Sequence, residues 1–164
     1  MSVPLPLQRR VRHALGYIGL GMFKEAAEEL DSVTADGWSH PDVRSARVEL
    51  HMAAKEWRKV IDVASDLARA HPKIEHAWIG WAYALRELNR VGEARAVLLE
   101  AEPHHGTTSA VLHYNLACYD SLLGVMASAQ ARLTRACRMD DRFEAEAALD
   151  PDLQALRDNR ARLP

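Results

Sequence analysis

Four short stretches decide the fold: Gly21-Met-Phe23-Lys-Glu-Ala26, Lys55-Glu-Trp57-Arg-Lys-Val60, Asn89-Arg-Val91-Gly-Glu-Ala94 and Gly124-Val-Met126-Ala-Ser-Ala129. Each sets a small or polar residue, an apolar residue two positions on, and a slim residue three after that. The slim residues fall at 26, 60, 94 and 129, which are spacings of 34, 34 and 35. Four residues further on, Leu30, Ala64, Leu98 and Leu133 continue the same helical face. A fixed period in this range is the mark of a repeat architecture.

Upstream of the turns lie further helical stretches, with Val11, Ala14, Leu15 and Ile18 in the first unit and Trp78, Trp81, Ala82 and Leu85 in the third. Each unit therefore reads as a helical hairpin. Stop signals separate the units: Asp36-Gly37 with His40-Pro41, then His71-Pro72, then Glu102-Pro103 with Gly106-Thr-Thr-Ser109. At Asp150-Pro151-Asp152 an Asp sits at the N-cap position with Pro at the first helical position, so a short final helix is expected through about Arg160.

Composition agrees. The 164 residues include 27 Ala and 20 Leu against 19 Val, Ile and Thr combined, a balance that favours helices over strands. Lys and Arg number 21 against 23 Asp and Glu, a net charge of -2 that argues against general nucleic-acid binding, which needs clustered cations. The cluster of Arg9, Arg10, Arg12 and His13 reads as a solvated helix face. The N-terminal Met1-Ser-Val-Pro-Leu-Pro-Leu7 lacks the basic start of a signal peptide, and no apolar run approaches the roughly 18 residues of a membrane span. Cys118 and Cys137 form no Cys-x-x-Cys pair and are expected to be buried, reduced thiols. A cytoplasmic location follows as the expectation.

The period, Leu15-Gly16-Tyr17 through Ala26, His76-Ala-Trp78 through Ala94, and Tyr114-Asn-Leu116-Ala117 through Ala136 resemble the tetratricopeptide repeat (TPR) family. The second unit departs most, with Glu49 and His51 in its first helix and Val60 in place of Ala, yet it ends on Ala68 and Pro72. The segment Ala148-Leu-Asp-Pro-Asp-Leu-Gln-Ala-Leu-Arg157 is also similar to the closing segment of some bacterial repeat proteins. The resemblance implies an all-α, right-handed superhelical stack of antiparallel helix hairpins, an α-solenoid. A single domain is expected over residues 1–164, with repeats at about 7–40, 41–73, 74–106 and 107–141 and a C-terminal cap at 142–160.

Hairpins that cannot bury their apolar faces alone must stack, and the small rotation per unit leaves a concave face lined by the first helices. Ala26, Ala94, Ala129 and Ala136 would let helix axes approach, with Phe23, Trp57, Val91 and Met126 filling the hairpin turns. The resemblance implies that the partner-binding residues are Val11, Leu15 and Ile18, then Ser45, Glu49 and Met52, then His76, Ile79, Tyr83 and Arg86, then Val111, Tyr114 and Cys118. Tyr83, Tyr114 and Arg86 rank first because aromatic and Arg side chains dominate interface energetics. An alternative reading packs both tyrosines between hairpins. Members of the family that hold acidic EEVD peptides use Lys, Asn and Arg on successive first helices. The matching positions here are Val11, Leu15, Ala46, His76 and Gly80, so no such clamp is expected.

Chemistry leaves no comparable pattern. The eight histidines show no His-x-x-x-His spacing, and His104-His105 reads as part of a loop. Gly16-Tyr-Ile-Gly19-Leu-Gly21 follows no strand and lacks the dinucleotide-binding order. Adjacent carboxylates such as Glu28-Glu29 splay about 100° apart on a helix and cannot act as an acid/base couple. No catalytic or metal-binding residue is expected, and no cofactor. The reading is a non-enzymatic scaffold that takes a peptide, helix or partner domain, with no nucleic acid and no membrane as partner. A cytoplasmic chaperone for an exported protein and a homodimer built through Val11, Leu15 and Ile18 are the alternatives.

Overall fold

The computed structural model describes residues 5–161, so the start of the N-terminal stretch read against a signal peptide lies outside the described residues. Among the described residues there are ten α-helices, two short 3₁₀ turns and no strand. The chain divides into two compact units, residues 1–84 and 85–164.

In the first unit, α1 (Leu5–Gly19) and α2 (Phe23–Asp31) form one hairpin, α3 (Pro41–Ala53) and α4 (Trp57–Ala70) a second, and α5 (Glu75–Glu87) contributes the stretch up to Ala84. Helix α3 packs on both α1 and α2. Ala14, Ala26, Leu30 and Val43 are fully buried at their junction, with Ala46 and Leu50 nearly so. Each buried leucine contributes about 1.5–3 kcal/mol of transfer free energy. His40 opens α3, its Nδ1 accepting from the Asp42 amide at 3.2 Å with Pro41 at the first helical position. Gly80 lets α5 come close to the second hairpin, because a Cβ there would lie 3.2 Å from Val48 Cγ1.

In the second unit, α6 (Val91–His105), α7 (Ala110–Leu122) and α8 (Met126–Met139) pack in sequence, α7 against both neighbours. Two eight-residue helices follow, α9 (Arg142–Leu149) and α10 (Gln154–Ala161), joined by a 3₁₀ turn at Pro151–Leu153. The turn and α10 lie on α7. Leu98, Leu112, Leu116 and Leu153 are fully buried at the centre.

The four hairpin turns share one backbone geometry. Gly21, Lys55, Asn89 and Gly124 are left-handed, with φ of 73°, 57°, 60° and 78°. The amide after each bonds back to a carbonyl five residues earlier: Met22 to Tyr17, Glu56 to His51, Arg90 to Leu85 and Val125 to Asp120, at 2.8–2.9 Å. The left-handed residue's own amide bonds three back, to Ile18, Met52, Arg86 and Ser121 at 2.8–3.1 Å. Together these are the Schellman closure of a helix C-terminus. The repeat period is thus a period of chain reversals as well as of side chains.

One stop signal is overridden. Glu102-Pro103 does not end α6, which continues to His105, so His104 and His105 occupy its last turn rather than a loop. Proline lacks one amide, but the Gly106 amide still bonds to Glu102 O at 2.8 Å and closes the helix end.

Candidate functional site

Three helices of the first unit each present residues at helical spacing on one face. On α1, Val11 and Ile18 are half-buried against the unit's core, while Leu15 between them is 44% exposed. On α3, Ser45 and Met52 are half-buried and Glu49 is exposed. On α5, His76 is exposed, Ile79 half-buried and Tyr83 39% exposed. The Tyr83 ring meets Trp57 edge-on, with centroids 5.8 Å apart, which fixes the aromatic body while one side faces solvent. Trp78 and Trp81, also on α5, are buried and stacked on each other, and the Arg69 guanidinium lies 4.8 Å over the Trp81 ring.

The second unit treats its share of the same residue set differently. Arg86, Tyr114 and Cys118 converge on the C-terminal segment. Arg86 Nε donates to Asp152 Oδ2 at 2.7 Å, and Nη2 pairs with Asp152 Oδ1, while Nη1 donates to Glu87 at 2.9 Å. The Tyr114 hydroxyl donates to Asp150 Oδ2 at 2.8 Å, and Cys118 Sγ lies 3.6 Å from the same oxygen. Phe143 stacks on Tyr114 with centroids 4.4 Å apart. Burial and the neighbouring carboxylates push the Tyr114 phenol and the Cys118 thiol well above their ordinary ranges, so both stay protonated as donors. The Asp152 carboxylate holds Arg86 firmly charged. Val111, at the start of α7, is half-buried.

A cleft of about 630 Å³ opens between α8, α9 and α10, walled by Leu133, Cys137, Leu153 and Leu156 with Arg138 and Arg160 at its edge. Cys137 is half-buried and Cys118 buried, and both are free thiols. Of the basic cluster on α1, Arg9 and Arg12 are exposed, His13 is exposed with its Nδ1 3.5 Å from Glu29 Oε1, and Arg10 binds Glu29 on α2 and Ser32 just after it. Among the described residues, no group of three His, Cys, Asp or Glu side chains is placed to hold a metal ion, and no helix is long and apolar enough to cross a membrane.

No family model matches the sequence, and no curated protein does either. Solved structures match its fold. The thermophilic TPR protein TTC0263 of Thermus thermophilus is 18% identical, with a TM-score of 0.72 over 94% of this chain and 87% of that one. The chain has the TPR fold. MamA from AMB-1 is 19% identical with a TM-score of 0.69, covering 88% of this chain and 79% of that one. A double mutant of MamA RS-1 is 11% identical with a TM-score of 0.73, covering 97% and 93%.

The TPR fold explains why the slim residues recur: Ala26, Val60, Ala94 and Ala129 are all fully buried in their hairpins. Sequence reading did not place Phe143 and Asp150 against α7 or Asp152 against Arg86, because contacts across 29 to 66 residues leave no periodic trace. It also passed over Trp38, which is 52% exposed while its Nε1 donates to Val33 O at 2.7 Å. An indole next to the Asp36-Gly37 turn signal was the available clue.

Proposed function

We propose that this TPR chain is a non-enzymatic protein-interaction scaffold whose working face lies in the first unit, along α1, α3 and the start of α5. The observation that carries the reading is the exposure of Leu15 and Tyr83 on a unit whose core is already filled by other residues. Val11, Ile18, Met52 and Ile79 supply half-buried apolar flanks, and Glu49 and His76 supply polar handles. A rigid exposed aromatic on α5 and an exposed aliphatic on α1 suit an apolar peptide or the apolar face of a partner helix. In this reading Arg86, Tyr114 and Cys118 are already engaged by the chain itself. The near-neutral charge and free thiols suit a cytoplasmic protein.

The test is affinity capture from the native lysate with the wild type beside Leu15→Glu/Tyr83→Ala. Both positions are exposed, so the variant is expected to keep its helix content. Proteins lost from the double variant alone are clients of this face, and identical capture by both chains rejects it. Self-association is a second reading, favoured by Leu15, Leu20 and Met22, which expose 44%, 74% and 37% of their surface around the first hairpin. Light scattering at tens of micromolar separates the two, since a monomer leaves the face to another protein. A chaperone for exported proteins would be one use of the same apolar face.

A further inference from the structure

The contact between the C-terminal segment and α7 is built as two separate parts. The turn is organised within the segment: Asp150 Oδ1 accepts the Asp152 amide at 2.9 Å, Pro151 fixes the first position, and Arg157 Nη1 donates to Asp150 O at 2.9 Å and Ala147 O at 2.5 Å. The receiving surface belongs to other elements. Arg86, at the end of α5, offers a two-pronged guanidinium, and α7 adds a phenol hydroxyl and a thiol one helical turn apart. Two carboxylates that flank a single proline thus meet a fork of donors matched to their geometry. Leu153 and Leu156 are buried behind them.

Helices α9 and α10 have eight residues each, too few to persist without the surface they lie on. Release of the segment and loss of its helices are therefore one event, which makes the contact separable from the rest of the unit. Leu149, immediately before the turn, is 85% exposed and adds nothing to the hold.

We propose that Arg86, Tyr114 and Cys118 form a recognition site for an acidic turn of a partner protein, and that the chain's own Asp150-Pro151-Asp152 turn occupies it until displaced. The partner offers two carboxylates flanking a proline, followed by an aliphatic residue. The cis segment competes at high effective concentration, so a free partner peptide binds the intact chain weakly. This site lies in the second unit and is tested without touching Leu15 or Tyr83.

The probe is a fluorescein-labelled peptide of residues 142–161, added to the full chain and followed by anisotropy. Full-length Asp150→Asn/Asp152→Asn, which weakens the cis occupant and leaves the receiving residues intact, is expected to bind it at least tenfold more tightly than the wild type. Adding Arg86→Gln should return binding to the wild-type level, and a peptide with both aspartates changed to asparagine should not bind. A variant with wild-type circular dichroism that binds the peptide no better than the wild type overturns the proposal. Hydrogen exchange on the unmodified chain decides the matter even if that variant does not fold. Amides of α9 and α10 are expected to exchange at least a hundredfold faster than those at the centre of α7, and equal protection would mark the segment as a permanent cap.

Discussion

Asp120 on α7, 1% exposed, is ion-paired with Arg95 Nε on α6, and its other oxygen accepts from Ser128 Oγ on α8 at 2.5 Å. A single carboxylate thus joins three successive helices of the second unit. Arg95→Ala removes the ion-pair partner and leaves the carboxylate buried on its Ser128 hydrogen bond, and breaking a buried pair from one side costs about 3 kcal/mol. Urea denaturation should show this loss in the single variant. Arg95→Met/Asp120→Leu should be more stable than Arg95→Ala, because the stranded charge is gone.

Lys55 holds the same left-handed conformation that glycine holds at positions 21 and 124. An L side chain there is strained by about 1–2 kcal/mol, and glycine relieves the strain while adding freedom to the unfolded chain. Lys55→Gly is expected to stabilise by about 0.5–1 kcal/mol. Gly124→Val should destabilise by more than that, since a β-branched residue is poorly suited to positive φ. Thermal melts of both variants check the sign.

The turns also show why most of the fold was legible. Gly21, Lys55, Asn89 and Gly124 sit at the start of the four stretches that set the period, and the Schellman closure needs a left-handed residue at that point. Local chemistry wrote that signal into adjacent residues. The C-terminal contact is different: Asp152 and Arg86 are far apart in sequence, and nothing near either residue names its partner. Leu15 shares that difficulty, because helical spacing assigned a face while packing of Val11 and Ile18 left Leu15 between them outside. Pro103 misled for a third reason. A proline near a helix C-terminus removes one bond only, and the closing Gly106 amide was enough to carry α6 past it.

Ala129 is fully buried on α8, the helix that pairs most extensively with α7. Ala129→Leu forces side chain into a filled space and should cost about 1–3 kcal/mol. Ala131, two residues on and exposed, is the matched control. Ala131→Leu should change stability by no more than about 0.5 kcal/mol. Equal effects at the two positions would contradict close packing of this hairpin.

His113 is fully buried on α7, with Nε2 donating to Gly106 O at 2.7 Å and Nδ1 accepting from Arg132 Nη1 at 3.1 Å. Both ring nitrogens are satisfied in the neutral form. Burial, aided by the charges of Arg135 and Arg132, lowers the folded-state pKa below the ordinary histidine value, against the raising effect of the Gly106 bond. The unfolded chain therefore takes up a proton at this residue before the folded chain does. Stability from the neutral ring is complete above the unfolded pKa of 6.5 and is lost as the pH falls below it toward the lowered folded value. Glu102, held below the usual carboxylate range chiefly by its hydrogen bond with Arg132, adds its own loss at more acid pH, below its ordinary value of 4.5. Between about pH 7.5 and 5.5 the histidine acts alone of the two. The wild-type unfolding midpoint should fall across that window, and His113→Gln, which keeps an amide N–H for Gly106 and an oxygen for Arg132 without a titrating ring, should fall less. Parallel curves for the two proteins would place the proton uptake at another histidine.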